Sequence, residues 1–186
     1  MSRSRPTRPT LSALSALLLV GGLAVAVPSS AQASPDCSVD WGSTAKTSTA
    51  YDTGPLVDLR TGTHACYDRL VIDLEGDVTG YTVRYGQVRT LGTGEIIPLE
   101  GGADIKILVE APGYDEDGDG TYLPADPDHA VDVSEHPTFR QVVWGSSFEG
   151  ESLIGLGVRA RLPMRVFTLD GPGDGSRIVV DVAHHW

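Results

Sequence analysis

Cysteine is scarce in this chain, with only Cys37 and Cys66 among 186 residues. Two thiols cannot fill a four-ligand metal site, and no histidine pair with ligand spacing stands near them. Basic residues are also few, 14 Lys and Arg against 25 Asp and Glu. A surface of that sign is a poor partner for nucleic acid or anionic lipid. The five histidines, His64, His129, His136, His184 and His185, form no His-x-x-x-His or His-x-Glu pair. No Gly-x-Ser-x-Gly elbow occurs, and Gly155-Leu156-Gly157 lacks the helix that a dinucleotide loop needs, so it reads as a strand glycine pair. His64 with Asp68 has the spacing of an ordinary turn, and it is the nearest approach to an acid–base pair. Catalysis has little to stand on. Aromatics make up 6% of the chain, enough for a sugar-stacking platform but no indication of where one lies.

Long apolar runs are absent except at the start. Arg3, Arg5 and Arg8 precede the uncharged run Leu11–Val27, and Ala31-Gln32-Ala33 supplies the small residues of a cleavage site. This is the pattern of a secretory signal peptide cut after Ala33, and the run is short for a membrane span. The mature chain is then expected to be exported, with no membrane insertion after cleavage. Losing the three leader arginines leaves 11 basic against 25 acidic residues, a net charge of −14. Export to an oxidising compartment predicts a Cys37–Cys66 disulfide.

A helical stripe is also missing after the leader. What replaces it is period two. Leu70, Ile72 and Leu74 alternate with Arg69, Val71 and Asp73; Tyr81, Val83 and Tyr85 with Thr82 and Arg84; Ile105, Ile107 and Val109 with Lys106 and Leu108. Further runs of this character are GPLVDLR, FRQVVWGSSF, LIGLGVRARL, RVFTLD and SRIVVDVAHH, punctuated by glycine- and proline-rich turns. The spacing predicts an all-β fold, a single-domain sandwich or partly closed barrel over 56–186, preceded by an extended segment over 34–55.

Two of the runs echo each other. Arg69-Leu-Val-Ile-Asp73-Leu and Arg177-Ile-Val-Val-Asp181-Val both place Arg and Asp four apart, on one face of a strand. Such strands can lie side by side with cross-strand Arg–Asp pairs. WGST at Trp41 and WGSS at Trp144 form a second echo, and for both the same strand grammar arising twice is the alternative. DLRTGTHACYDRLVIDLEG, the Gly-Tyr-x-Val-x-Tyr strand at Gly80–Tyr85, and the ending from FEGESLIGLGVRARL to Trp186 resemble the AMIN-like domain of secreted actinobacterial proteins. The resemblance covers roughly Trp41 to Trp186. It implies a β-sandwich and, through the broader AMIN domain, a cell-envelope module that binds peptidoglycan. An amidase domain beside it is not expected here.

Two candidate sites stand out. Arg159, Arg161 and Arg165 concentrate basic charge within seven positions, and on a regular strand Arg159 and Arg161 share a face. Guanidinium matches carboxylate and phosphate bidentately, so the patch suits peptidoglycan stems or teichoic acid. Pairing with Asp68, Asp73, Asp181 or Glu149 inside the fold is the competing reading. The second site is YDEDGDGTYLPAD, Tyr114–Asp126. Numbered from Asp115, its positions 1, 3 and 5 are Asp115, Asp117 and Asp119, Gly120 is 6, Thr121 is 7 and Asp126 is 12. That is the ligand order of a calcium loop. Position 12 departs from the longer Glu, and Pro124 and Pro127 preclude an exiting helix. A solvated acidic turn is the alternative. The functional expectation is a secreted, wall-associated, non-catalytic module needing no cofactor beyond, at most, Ca²⁺. An enzyme acting on wall glycans or peptides is the runner-up, with a calcium-stabilised interaction protein as a third reading.

Overall fold

The alternating runs become antiparallel strands, and their partners set two sheets. The computed structural model describes residues 37–50, 54–77 and 80–186. The expected leader, Met1–Ala33, lies outside the described residues. The strands are β1 (Lys46–Ser48), β2 (Leu56–Thr63), β3 (Tyr67–Leu74), β4 (Tyr81–Tyr85), β5 (Val88–Arg89), β6 (Ile96–Ile97), β7 (Ala103–Val109), β8 (Phe139–Phe148), β9 (Glu151–Val158), β10 (Met164–Asp170) and β11 (Ser176–Ala183). One sheet has the order β1-β4-β7-β9-β8 and the other β10-β11-β3-β2, while β5 and β6 form a small hairpin. A 3₁₀ turn, Pro127–His129, precedes β8.

The two sheets pack face to face as a sandwich, with no closed barrel. Leu70, Ile72, Ile178, Val180 and Val182 face inward from the four-stranded sheet. Val83, Ile105, Ile107, Val142, Ile154 and Leu156 meet them from the five-stranded sheet. Each fully buried side chain of this size stabilises the fold by about 1.5–3 kcal/mol relative to exposure. The period-two reading of β3, β4 and β7 therefore holds residue by residue. Gly157 is a strand glycine for a packing reason: a Cβ there would meet the Glu100 carbonyl oxygen at 2.2 Å.

The segment before residue 56 belongs to the sandwich. Its strand β1 pairs with β4, Lys46 opposite Val83 and Ser48 opposite Tyr81. The predicted disulfide joins Cys37 to Cys66, in the turn between β2 and β3.

The strand expected through LIGLGVRARL stops earlier than its sequence alternation does. Val158 pairs with Ala103 on one side and Phe139 on the other, the first residues of β7 and β8. Both neighbours run out there, so Arg159 to Pro163 is a connection and not a strand. Arg159 and Arg161 consequently share no strand face. The tryptophan echo is not a structural repeat either. Trp144 lies in β8, edge-on to Tyr122 at 5.1 Å, whereas Trp41 lies in a loop before β1.

Candidate functional site

The outward residues of the four-stranded sheet follow from the inward ones by alternation. β2 presents Arg60, β3 presents Arg69, Val71 and Asp73, β11 presents Arg177, Val179 and Asp181, and β10 presents Arg165 and Phe167. The echoed motifs are on neighbouring antiparallel strands, with Arg69 opposite Asp181 and Arg177 opposite Asp73. Arg69 Nε and Nη2 donate to the two Asp181 oxygens at 2.7 and 2.9 Å. From the other side Arg165 Nε donates to Asp181 Oδ2 at 2.8 Å. One fully buried carboxylate thus serves two guanidiniums, leaving a net positive charge. Hydrogen bonding to Asp181 raises the Arg69 pKa further.

Aromatic rings layer between these cations. The Arg165 guanidinium lies 4.3 Å from the Trp41 ring centroid, and Tyr67 and Phe167 each lie 5.3 Å from that of Arg69. Such contacts contribute about 0.5–2 kcal/mol each, more where water is excluded. Arg165 is therefore a structural member of the sheet surface. It also fulfils the internal-pairing alternative raised from the sequence.

Beside this stack runs a groove of about 260 Å³. Val71 and Val179 line it together with Leu169, and Arg60, Arg69, Arg177 and His64 supply its polar groups. Among the described residues no carboxylate lines it. Arg60 donates through Nε and Nη2 to both Asp73 oxygens, at 2.6 and 3.0 Å, which raises its pKa. Arg177 donates through Nη2 to the Asp170 carbonyl at 2.8 Å, while its Nε is buried and has no hydrogen-bond partner. Guanidiniums that border an apolar strip with no carboxylate between them suit an anionic group on a small apolar body. Carboxylate and phosphate are the anions that guanidinium fits best.

The three arginines singled out from sequence are committed to different partners. Arg159 donates through Nη2 to the His184 carbonyl. Arg161 donates to the Ser43 hydroxyl and carbonyl, both at 3.0 Å, and lies 5.1 Å from the Tyr85 ring centroid. Only Arg165 is on the sheet face. Sequence reasoning missed Arg60 and Arg177 as groove residues, although the Arg-x-x-x-Asp echo was the signal that could have found the second.

The acid-rich segment folds on itself. Asp115 Oδ1 accepts from the Asp117 and Asp119 amides at 3.0 and 2.9 Å, and Asp115 N donates to the Asp119 carbonyl at 2.9 Å. Thr121 Oγ1 donates to the Leu56 carbonyl at 2.6 Å, anchoring the turn to β2. Asp126 caps the 3₁₀ turn, accepting from Asp128 N at 3.0 Å, and lies 3.3 Å from His129 Nδ1. Among the described residues no three His, Cys, Asp or Glu side chains are gathered as a metal site.

His64 and Asp68 part company, because His64 lies in the turn after β2 whereas Asp68 is in β3, in phase with the inward Leu70 and Ile72. His64 stacks on Tyr67 at 4.5 Å on the outer side. Asp68 is fully buried on the inner side, accepting from the Thr138 and Phe139 amides at 2.6 and 3.0 Å, with His184 Nε2 at 3.1 Å. This Asp–His pair fastens β3 and the end of β11 to the start of β8.

Among the described residues, no helix is long and apolar enough to cross a membrane. No curated protein and no solved structure matches the chain significantly. The family model of the AMIN-like domain matches residues 54–184, from just before β2 to just past β11, and the chain belongs to the AMIN-like domain family.

Proposed function

We propose that this protein is an exported, non-catalytic module that holds a cell-wall polymer in the groove between Arg60, Arg69 and Arg177. AMIN-like domains are generally binding modules without catalysis, typically extracellular or periplasmic, and membership suggests a peptidoglycan-binding type. The observation that carries the reading is local. In a chain of net charge −11, three guanidiniums and His64 meet at an apolar strip that no carboxylate of the described residues lines. Peptide stems offer carboxylates to such a groove, and teichoic acids offer phosphates.

Co-sedimentation of the mature protein with purified wall, with and without its teichoic acid, tests the proposal. Binding is expected to both preparations and to weaken about tenfold in Arg177→Gln, the loss of one charge-assisted bond. A folded protein that stays in the supernatant with both would overturn the reading. Soluble fragments released during the same incubation would replace the binding module by a wall-cleaving enzyme.

A further inference from the structure

The two sheets end on the strands β1, β8, β2 and β10, and the first three discourage the addition of another strand. Strand β1 is only three residues long. Strand β8 shifts register at Phe139–Gln141 and Trp144–Ser146, and Ala130 N donates to its Val142 carbonyl at 2.8 Å. Strand β2 shifts register after Leu56, whose N donates to the Pro112 carbonyl and whose carbonyl accepts from Thr121 Oγ1. Short, bulged and covered edges are the usual protections against strand addition. Strand β10 has none of them. Its seven residues keep unbroken register with β11 and include no Pro or Lys. Met164 N donates to the Gly42 carbonyl, away from β11, so by alternation the N–H and C=O of Val166 and Thr168 also point outward. Among the described residues no backbone group pairs with them on that side. Leu169, beside them on the outer face, is 39% exposed.

We propose that β10 pairs antiparallel with β10 of a second copy of this chain, about a two-fold axis at Thr168. The two four-stranded sheets then become one continuous sheet. Residues with outward N–H and C=O must face each other, so even-numbered positions face even-numbered ones. An axis at Phe167 would set Asp170 of the second copy on Met164, where Gly42 already sits. An axis at Thr168 avoids that and sets Phe167 opposite Leu169 of the second copy. Such aromatic–aliphatic pairs across strands are favourable, and no like charges face each other at the join. The pairing also extends the arginine groove. Arg60, Val71, Val179 and Phe167 form one row across β2, β3, β11 and β10. Its next member becomes Leu169 of the second copy, which lines the second groove beside Arg177 of that copy. Two short apolar strips thus join, with the two Arg60 residues about 34 Å apart at the strand spacing of a sheet. That span suits a polymer, and a foreign strand would not carry the row on. The joined groove rests on the wall-binding reading; the pairing itself does not.

Analytical ultracentrifugation of the mature protein reads the pairing without any wall. The contact is small and both copies are acidic, so the dimer is expected above about 10 μM and tightens as salt screens the repulsion. Thr168 is exposed, and Thr168→Lys or Thr168→Glu sets like charges opposite each other at the axis. Each is expected to weaken association at least about tenfold. Mixing the two variants places opposite charges there and restores a dimer, which also verifies that both are folded. Wall co-sedimentation follows the same pattern, at least about tenfold weaker for each variant alone and restored in the mixture, because two linked grooves act together. A wild type that stays monomeric at about 200 μM overturns the pairing and leaves the edge to an extended segment of another protein. A dimer indifferent to both variants lies elsewhere on the molecule and overturns it as well. Equal wall binding by dimer and monomeric variants overturns the joined groove. A dimer that forms as described and leaves the wall unbound removes the wall-binding reading and not the pairing.

Discussion

The outer face of the four-stranded sheet and the loop Tyr114–Asp126 are both dense in charge, yet different physics places their charges. On the sheet, residues more than 100 positions apart, Arg69 and Asp181, meet because register puts them opposite each other. In the loop, Asp115 bonds amides two and four residues away. The first arrangement is as rigid as the sandwich that carries it. The second depends on a turn at the surface. A carboxylate alternating with neutral residues is thus ambiguous until the backbone state beneath it is known.

The sharpest way to break this contrast is to remove a carboxylate from each region. Asp181→Ala would leave Arg69 and Arg165 facing each other without their shared partner. The expected loss is about 3 kcal/mol or more in urea unfolding, since an orphaned partly buried charge is costly. A loss under about 1 kcal/mol would make the sheet ladder no more structural than the loop. Reducing the Cys37–Cys66 bond is expected to cost about 3 kcal/mol, because it closes a 29-residue separation. It should also loosen Trp41 from Arg165, readable as a change in tryptophan fluorescence before global unfolding.

Alkaline titration probes the loop's own anchor. Burial pushes the Tyr122 phenol up to about 12, with the Asp58 charge adding to it, and burial raises Tyr81 and Tyr85 as well. Because the folded value exceeds the unfolded one, this stability is complete below about pH 10 and is lost as pH rises towards 12. The contribution of Tyr122 is on the order of 2 kcal/mol, and Tyr122→Phe should flatten that part of the pH–stability profile. The smallest effect is expected at the turn itself. Asp117→Ala should change stability by no more than about 0.5 kcal/mol. A rise in melting temperature in millimolar calcium that Asp117→Ala abolishes would assign the loop a cation and end its contrast with the sheet.

Period two and the Arg-x-x-x-Asp echo made the sandwich and its ladder legible, because alternation is a strand's own signature and the motif fixes a face. The pairing of the two cysteines was legible from their number. Where β9 ends was not, since Arg159 and Arg161 continue the alternation after Ala103 and Phe139 have run out as partners. The groove was only half legible. Arg60 and Arg177 lie 117 positions apart, and only the order β10-β11-β3-β2 places β2 and β11 on either side of β3. At Asp115 a solvated turn and a calcium loop read alike in the sequence, because both use the same side-chain acceptors and glycines.

Strand β1 has a practical corollary for anyone isolating this domain. It lies upstream of the region that matches the family, yet it covers the free side of β4. A fragment cut at residue 54 would bare the backbone amides and carbonyls of Tyr81 to Val83 along one margin of the five-stranded sheet. Such a margin is a template for any extended chain. The trimmed protein would be expected to self-associate strand to strand, or to capture a foreign peptide, through an edge that the cut itself creates.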